Sequence, residues 1–265
     1  MPELPEVESQ RRRIERWLKG RRIAAVTVVE DPIVFAGARA RSVATALRGR
    51  RVRAAKRKGK HLWLELDRRP WLAFHFGMTG WFSYYKREED RPRFWKIEIV
   101  TDDGRRVAYT DPRRFGRIRL QQDPPAEAPI ALLGFDPLEG LPPARELAAL
   151  LARRHAPLKA VLLDQALFAG VGNWIADEVL YQARLSPRRP ASSLTAGEVV
   201  RLRGRLHDVV KRAVAAGADS DRFPRSWLFH VRWGRRIGAV TARDEAIVHQ
   251  TIGGRTTAWV PSRQK

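Results

Sequence analysis

The chain has 265 residues, 44% of them hydrophobic, and a formal net charge of +22 with a sequence pI near 11.4. Its length allows one large or two modest domains with room for a core, and its apolar content excludes a disordered tail; the lack of cysteine excludes disulfides and every thiolate metal site. The excess of base over acid points to a polyanion partner, most often nucleic acid, and is not explained by the codon bias that would favour 42 arginines over nine lysines.

The chain opens Met1-Pro2-Glu3-Leu4-Pro5-Glu6-Val7-Glu8. If Met1 is trimmed, as a small second residue favours, Pro2 presents a free secondary amine within one helical turn of Glu3 and Glu6. An amine that can form an iminium with a sugar aldehyde, beside an acid that can move protons, is a catalytic unit. The plain alternative is a frayed polar terminus. Pro5 suits the first turn of a helix; Val7, Arg11, Ile14 and Leu18 keep helical spacing, and Gly20 ends it. No apolar run approaches the roughly 18 residues of a membrane span, and the N-terminus lacks an apolar signal segment, so a soluble cytoplasmic protein is expected.

Strand-like segments follow at Arg22–Glu30, Arg51–Lys56, His61–Leu66, Trp71–Phe76, Trp81–Tyr85, Trp95–Val100, Arg105–Tyr109 and Gly116–Leu120. Alternation such as Leu62, Leu64, Leu66 and turns such as Asp102-Asp103-Gly104 suggest an antiparallel β-sandwich. A Pro-rich stretch, Asp123–Pro143, reads as a linker with at most one short helix near Ile130–Leu133. The period then changes: Ala144–Arg153, Leu158–Leu163, Trp174–Gln182 and Ala196–Ala216 read as helices. Trp227–Trp233 reads as a strand, and Ala246–Gln250 and Thr256–Val260 as a hairpin about Gly253-Gly254. The expected organisation is α+β and multidomain, with domains at 1–122, 144–223 and 224–265 and the linker at 123–143. The six histidines form no close ligand pair and read as core or surface residues.

The segment Asp164 to Glu178 carries a second signal. A helix ends, Gly170-Val171-Gly172 turns, and Asn173 opens the next helix as an N-cap. Exposed N–H groups at such a turn bind phosphate; the plain alternative is a helix–turn–helix packing unit.

Together the two segments resemble the formamidopyrimidine-DNA glycosylase/endonuclease VIII family of base-excision repair enzymes. Pro2 to Glu8 resembles its catalytic N-terminus, and Leu167 to Glu178 its helix–two-turn–helix motif. Asp111-Pro112-Arg113-Arg114-Phe115-Gly116 and His75-Phe76-Gly77-Met78-Thr79-Gly80 resemble two strand-end signatures. The resemblance runs from residue 2 to about 260. It implies a bifunctional glycosylase and AP lyase acting on oxidised bases in duplex DNA, with no cofactor and with one active-site unit in a monomer. Pro2 would attack C1′ to form a Schiff base leading to β,δ-elimination, Glu3 would protonate the sugar ring oxygen, and Glu6 would organise the site. Lys60, with Lys58 as rival, and Asn173 would contact phosphate. Met78, Arg113 and Phe115 would fill the void left by a flipped nucleotide, and Glu178 would support the site structurally. The plain alternatives are core packing for Met78 and Phe115 and a solvated Arg113.

One departure is clear. Most bacterial members end in a four-cysteine zinc finger, whereas Arg235 to Lys265 contains no cysteine. A zincless finger is expected, with Arg255 gripping phosphate at its tip and Val248, Trp259 and Val260 helping to hold the hairpin. Lesion preference draws conflicting indications. The Met78, Arg113 and Phe115 set resembles the purine-lesion branch, which implies damaged guanine opposite C. A connection of only Ala218–Ser226 before a strand at Trp227 is too short for a lid, which favours formamidopyrimidines and oxidised pyrimidines over 8-oxoguanine. A non-catalytic damaged-DNA-binding protein leaves Pro2, Glu3 and Glu6 without a purpose. A helix–turn–helix regulator leaves the sandwich unexplained as well.

Overall fold

Helix α1 (Leu4–Leu18) forms where the apolar spacing places it, with Val7, Ile14 and Leu18 fully buried. The structure, a computed structural model, describes residues 2–234 and 238–265; Met1 and the first three residues of the expected finger region, Arg235 to Ile237, lie outside the described residues. Arg11 does more than lay its stem along the helix, because its guanidinium binds Glu8, Glu15 and the Ala55 carbonyl.

After α1 come β1 (Ile23–Val28), α2 (Ala40–Leu47), β2 (Val52–Lys58), β3 (His61–Leu66), β4 (Trp71–His75), β5 (Trp81–Tyr85), β6 (Trp95–Thr101), β7 (Arg106–Thr110) and β8 (Arg117–Gln121). They make two four-stranded antiparallel sheets, ordered β1-β6-β7-β5 and β2-β3-β4-β8. Leu62, Leu64 and Leu66 point into one core with Ile97, Ile99, Val107 and Tyr109 of the other sheet, as the period of two requires. Phe74, Phe76, Phe82 and Tyr109 pack edge-on and tilted at its centre, with centroids 4.9–6.0 Å apart. The sandwich expected from the sequence is present. Helix α2 was not foreseen: it buries only Val43 and Leu47, too few apolar positions to mark a period.

The Pro-rich stretch holds two short 3₁₀ turns, Pro124–Ala126 and Ile130–Leu132. Helices α3 (Ala144–Ala152), α4 (Leu158–Leu163), α5 (Asn173–Ala183) and α6 (Ala196–Ala215) follow. A Thr195/Glu198 capping box starts α6. Helix α5 is buried on nearly every side, the mark of a central core helix. Pro2 with Glu6–Leu132 makes one compact unit; Glu3–Pro5 with Leu133–Lys265 makes the other.

Trp227–Trp233 is not a strand. Residues Leu228–His230 form a 3₁₀ turn, and Phe223, Trp227 and Phe229 gather around Trp174 at centroid distances of 5.2–6.4 Å. Aromatic packing overrides the β propensity of the segment. Among the described residues, the first strand after α6 is β9 (Val248–Ile252), paired antiparallel with β10 (Arg255–Trp259). The brevity of Ala218–Ser226 therefore sets no limit on a lid. Within that segment, Phe223 is held in the core, as are Trp227 and Leu228 just beyond it. The hairpin turn is Gly253-Gly254, with φ of 59° and 72°, which only glycine adopts without strain.

Candidate active site

Glu3 is firmly held. It is 2% exposed, and its carboxylate accepts hydrogen bonds from Trp174 N (2.9 Å) and Ile175 N (3.2 Å) in the first turn of α5. A carboxylate at this end of the helix satisfies two orphan donors and complements the helix dipole. Leu4 N donates to Gly170 O at 3.1 Å, seating the segment on the Gly170-Val171-Gly172 turn. A Cβ on Gly172 would lie 2.1 Å from the Glu3 carboxyl carbon, so a larger residue there would displace the carboxylate from its donors. Gln165 pins the same turn, donating to Leu163 O and Val171 O and accepting from Gly170 N. The sequence assigned two of these donors differently. Two N–H groups just past the turn, those of Trp174 and Ile175, are taken by Glu3, and the N-cap is Gly172 rather than Asn173.

Asn173 is the first residue of α5. Its side-chain Nδ2 donates to Thr256 O of β10 at 2.9 Å. The proposed phosphate ligand is thus joined to the residue beside Arg255, which is exposed at the hairpin tip. Glu178 is fully buried, accepting from Gln182 Nε2 and from Phe229 N at the 3₁₀ turn. Burial pushes its pKa up to about 7, against those two donors.

In the sandwich unit Pro2 and Glu6 are half-buried, Glu6 in the first turn of α1. Gly59-Lys60 is the two-residue turn joining β2 to β3, with Lys58 opposite His61. Arg57 fixes this turn, donating to Gly59 O and, through Nε, to Glu8 of α1. Glu8 also holds Arg11 and Arg12, which keep its carboxyl below the ordinary range against the opposing effect of burial. Arg57 and Glu8 were missed because nothing in the sequence pairs residues so far apart. His61 and His75 lie across from each other, with ring centroids 4.7 Å apart. Burial, with Lys60 and Arg119 nearby, lowers them to about 3 and about 4, so both are neutral at pH 7.

Met78 and Phe115 are exposed by 41% and 49%, which removes plain core packing as their explanation. Their loops are locked together: buried Asp111 accepts from Thr79 Oγ1 (2.7 Å) and Gly116 N (2.6 Å), and a Cβ on Gly77 would lie 2.4 Å from the Phe115 carbonyl carbon. The Arg113 guanidinium lies 4.9 Å from the Phe115 ring centroid. Arg114 grips Asp31 through two bonds of 2.9 and 3.0 Å.

Two domain models match the chain: the formamidopyrimidine-DNA glycosylase N-terminal domain over residues 1–118 and the formamidopyrimidine-DNA glycosylase H2TH domain over residues 133–224. The chain belongs to the formamidopyrimidine-DNA glycosylase family. A formamidopyrimidine-DNA glycosylase of Arabidopsis thaliana is 41% identical, covering all of this chain and 71% of that protein. One from Laribacter hongkongensis is 35% identical across the full length of both. Lactococcus lactis Fpg, solved with DNA containing an abasic site, shares the fold with a TM-score of 0.86 over 99% of both chains at 24% identity. In this family member, Glu3, Asn173 and Arg255 belong to one compact unit, and Lys60, Met78, Arg113 and Phe115 to the other.

Proposed function

We propose that the chain is a bifunctional DNA glycosylase and AP lyase, acting as a monomer in the cytoplasm on oxidised bases in duplex DNA. Family membership supports a DNA glycosylase of base-excision repair. The observation that carries the finer reading is the seating of Glu3. A chain terminus is usually mobile, yet here a buried carboxylate tethered to α5 fixes the residue next to Pro2.

In this reading the neutral Pro2 amine, whose ordinary pKa is about 8, attacks C1′ of the damaged nucleotide. The C1′–N bond to Pro2 forms as the glycosidic bond breaks; the proton released from the Pro2 nitrogen passes to the Glu3 carboxylate, and the departing base takes a proton from water. Glu3 then gives its proton to the ring oxygen, the sugar opens to the Schiff base, and loss of a proton from C2′ and then from C4′ to water expels the two flanking phosphates in turn. Lys60, Asn173 and Arg255 grip phosphates; Met78, Arg113 and Phe115 fill the vacated stack. Glu6 and Glu178 maintain the site. Formamidopyrimidines, oxidised pyrimidines and 8-oxoguanine are the candidate substrates, and single-turnover excision from matched duplexes ranks them.

Borohydride should trap the protein covalently on a duplex with an abasic site. Pro2→Gly, or retention of Met1, should lower the trapped fraction at least tenfold. Undiminished trapping by protein that retains Met1 would show that Pro2 is not the nucleophile.

A further inference from the structure

Zinc-finger relatives of the kind the sequence resembles fix their C-terminal hairpin with four thiolates, and this chain has none to offer. The donor set does not fit the metal, so something else must hold Arg255 in place. We infer that Asp177 is the positioning residue for the DNA-gripping hairpin, one buried carboxylate acting where a metal would. This rests on the DNA-binding roles proposed above for Asn173 and Arg255.

Asp177 is 1% exposed near the middle of α5. Its Oδ1 accepts from Lys159 Nζ of α4. Its Oδ2 accepts from Arg232 Nη2 (2.7 Å) and Nε (3.1 Å), and from Ala258 N of β10 (3.1 Å). Ala258 lies three residues beyond Arg255 on the same strand. The cations carry the grip further. Lys159 Nζ also donates to Asn173 O at 2.8 Å. The Arg232 carbonyl lies 3.1 Å from His249 Nε2 of β9; a carbonyl only accepts, so Nε2 carries the hydrogen. One carboxylate therefore reaches α4, the turn after Leu228–His230 and both strands of the hairpin. The hairpin tip rests on the same helix, where a Cβ on Gly253 would lie 2.8 Å from Ala160 Cβ.

Two cations converge on a single anion here, and both are buried. Replacing Asp177 by Asn keeps the shape and removes the charge that pairs them, so the hairpin should lose its register before the helical core loses its packing.

The test is a double-mutant cycle in the full chain: wild type, Asp177→Asn, Arg255→Ala and the double variant. Binding to a duplex with a stable abasic-site analogue is followed by anisotropy across a salt series, and thermal melting verifies that each protein is folded. Asp177→Asn should weaken binding at least tenfold and lower the log–log salt slope by about 0.9, one phosphate contact, as Arg255→Ala does. The double variant should bind no more weakly than the weaker single, because both remove the same grip. In nicking assays the loss should fall on KM rather than kcat. If Asp177→Asn does not fold, Arg232→Met cuts one arm and should show the same slope change, with Arg232→Lys restoring it in part. Wild-type affinity and slope in folded Asp177→Asn, or in Arg232→Met, would overturn the inference, as would additive losses in the double variant. Wild-type protein that binds the duplex without nicking it would defeat the lyase reading, and the binding cycle would still decide the role of Asp177.

Discussion

Glu3 serves two ends with one carboxylate. It closes the start of α5, and in the proposed reaction it gives a proton to the sugar ring oxygen. Glu3→Gln separates the two. An amide has one acceptor oxygen for two N–H donors, so the capping loss should be about 1 kcal/mol. Loss of a general acid should cost about 10²- to 10⁴-fold in rate. Single-turnover excision should fall by at least a hundredfold while the urea midpoint shifts only slightly; a rate within threefold of wild type would remove Glu3 from the chemistry. At this scale the residue types at Pro2, Glu3, Glu6 and Asn173 were legible, and their bonding was not. Capping rules weigh only neighbours in sequence, and Asn173 looked like a cap because Glu3, about 170 residues upstream, is invisible to them. Arg57 and Glu8 were illegible for the same reason: they are bonded across 49 residues.

At the scale of elements, the turn before α5 leaves no slack. Gly172→Ala would put a methyl group 2.1 Å from the Glu3 carboxyl carbon, which must leave its two donors to make room. Overpacking of this kind costs about 1–3 kcal/mol. Borohydride trapping should fall at least tenfold while far-UV circular dichroism stays unchanged at 25 °C; trapping at the wild-type level would mean that Glu3 need not sit where it does. Elements with strong periods were readable, and α4 matches its expected span of Leu158–Leu163. What escaped was structure set by tertiary partners. Helix α2 has only two buried anchors, and Trp227–Trp233 alternates like a strand while its aromatics belong to a cluster around Trp174.

For the molecule as a whole, two groups of titrating residues pull stability in opposite directions. His61 and His75 are held near 3 and 4, below the ordinary 6.5, so between pH 6.5 and about 4 the unfolded chain takes up protons that the folded chain refuses. Their contribution is complete above pH 6.5 and declines as pH falls, at a limiting slope of about 2.7 kcal/mol per pH unit for two protons. Glu178, raised to about 7, does the reverse: its contribution is present below pH 4.5 and is lost as pH rises to 7. The wild-type urea midpoint should therefore rise from pH 4.5 to 6.5, since two protons outweigh one. In the His61→Asn/His75→Asn variant that rise should largely disappear, because the carboxylates held below their ordinary range, Glu8 among them, offset Glu178; a rise as steep as the wild type's would show that the histidines are not responsible. None of this was visible in the sequence, where the histidines lie 14 positions apart and only the register of β3 against β4 joins them.

The seating of Glu3 also sets an order of events during synthesis. Its donors, Trp174 and Ile175, are made about 170 residues after it. At about 5–20 residues per second the start of the chain waits some 9–35 s without its final partners. In that interval Glu3, buried in the finished fold, has not yet docked and is open to cleavage. Nascent chains stalled at residue 150 should be cut readily after Glu3 by a protease specific for glutamate, whereas completed, folded protein should be cut there at least tenfold more slowly. Equal rates would mean that docking does not protect the segment. The sequence distance that hid this contact from local reading would then act as a timer for its burial.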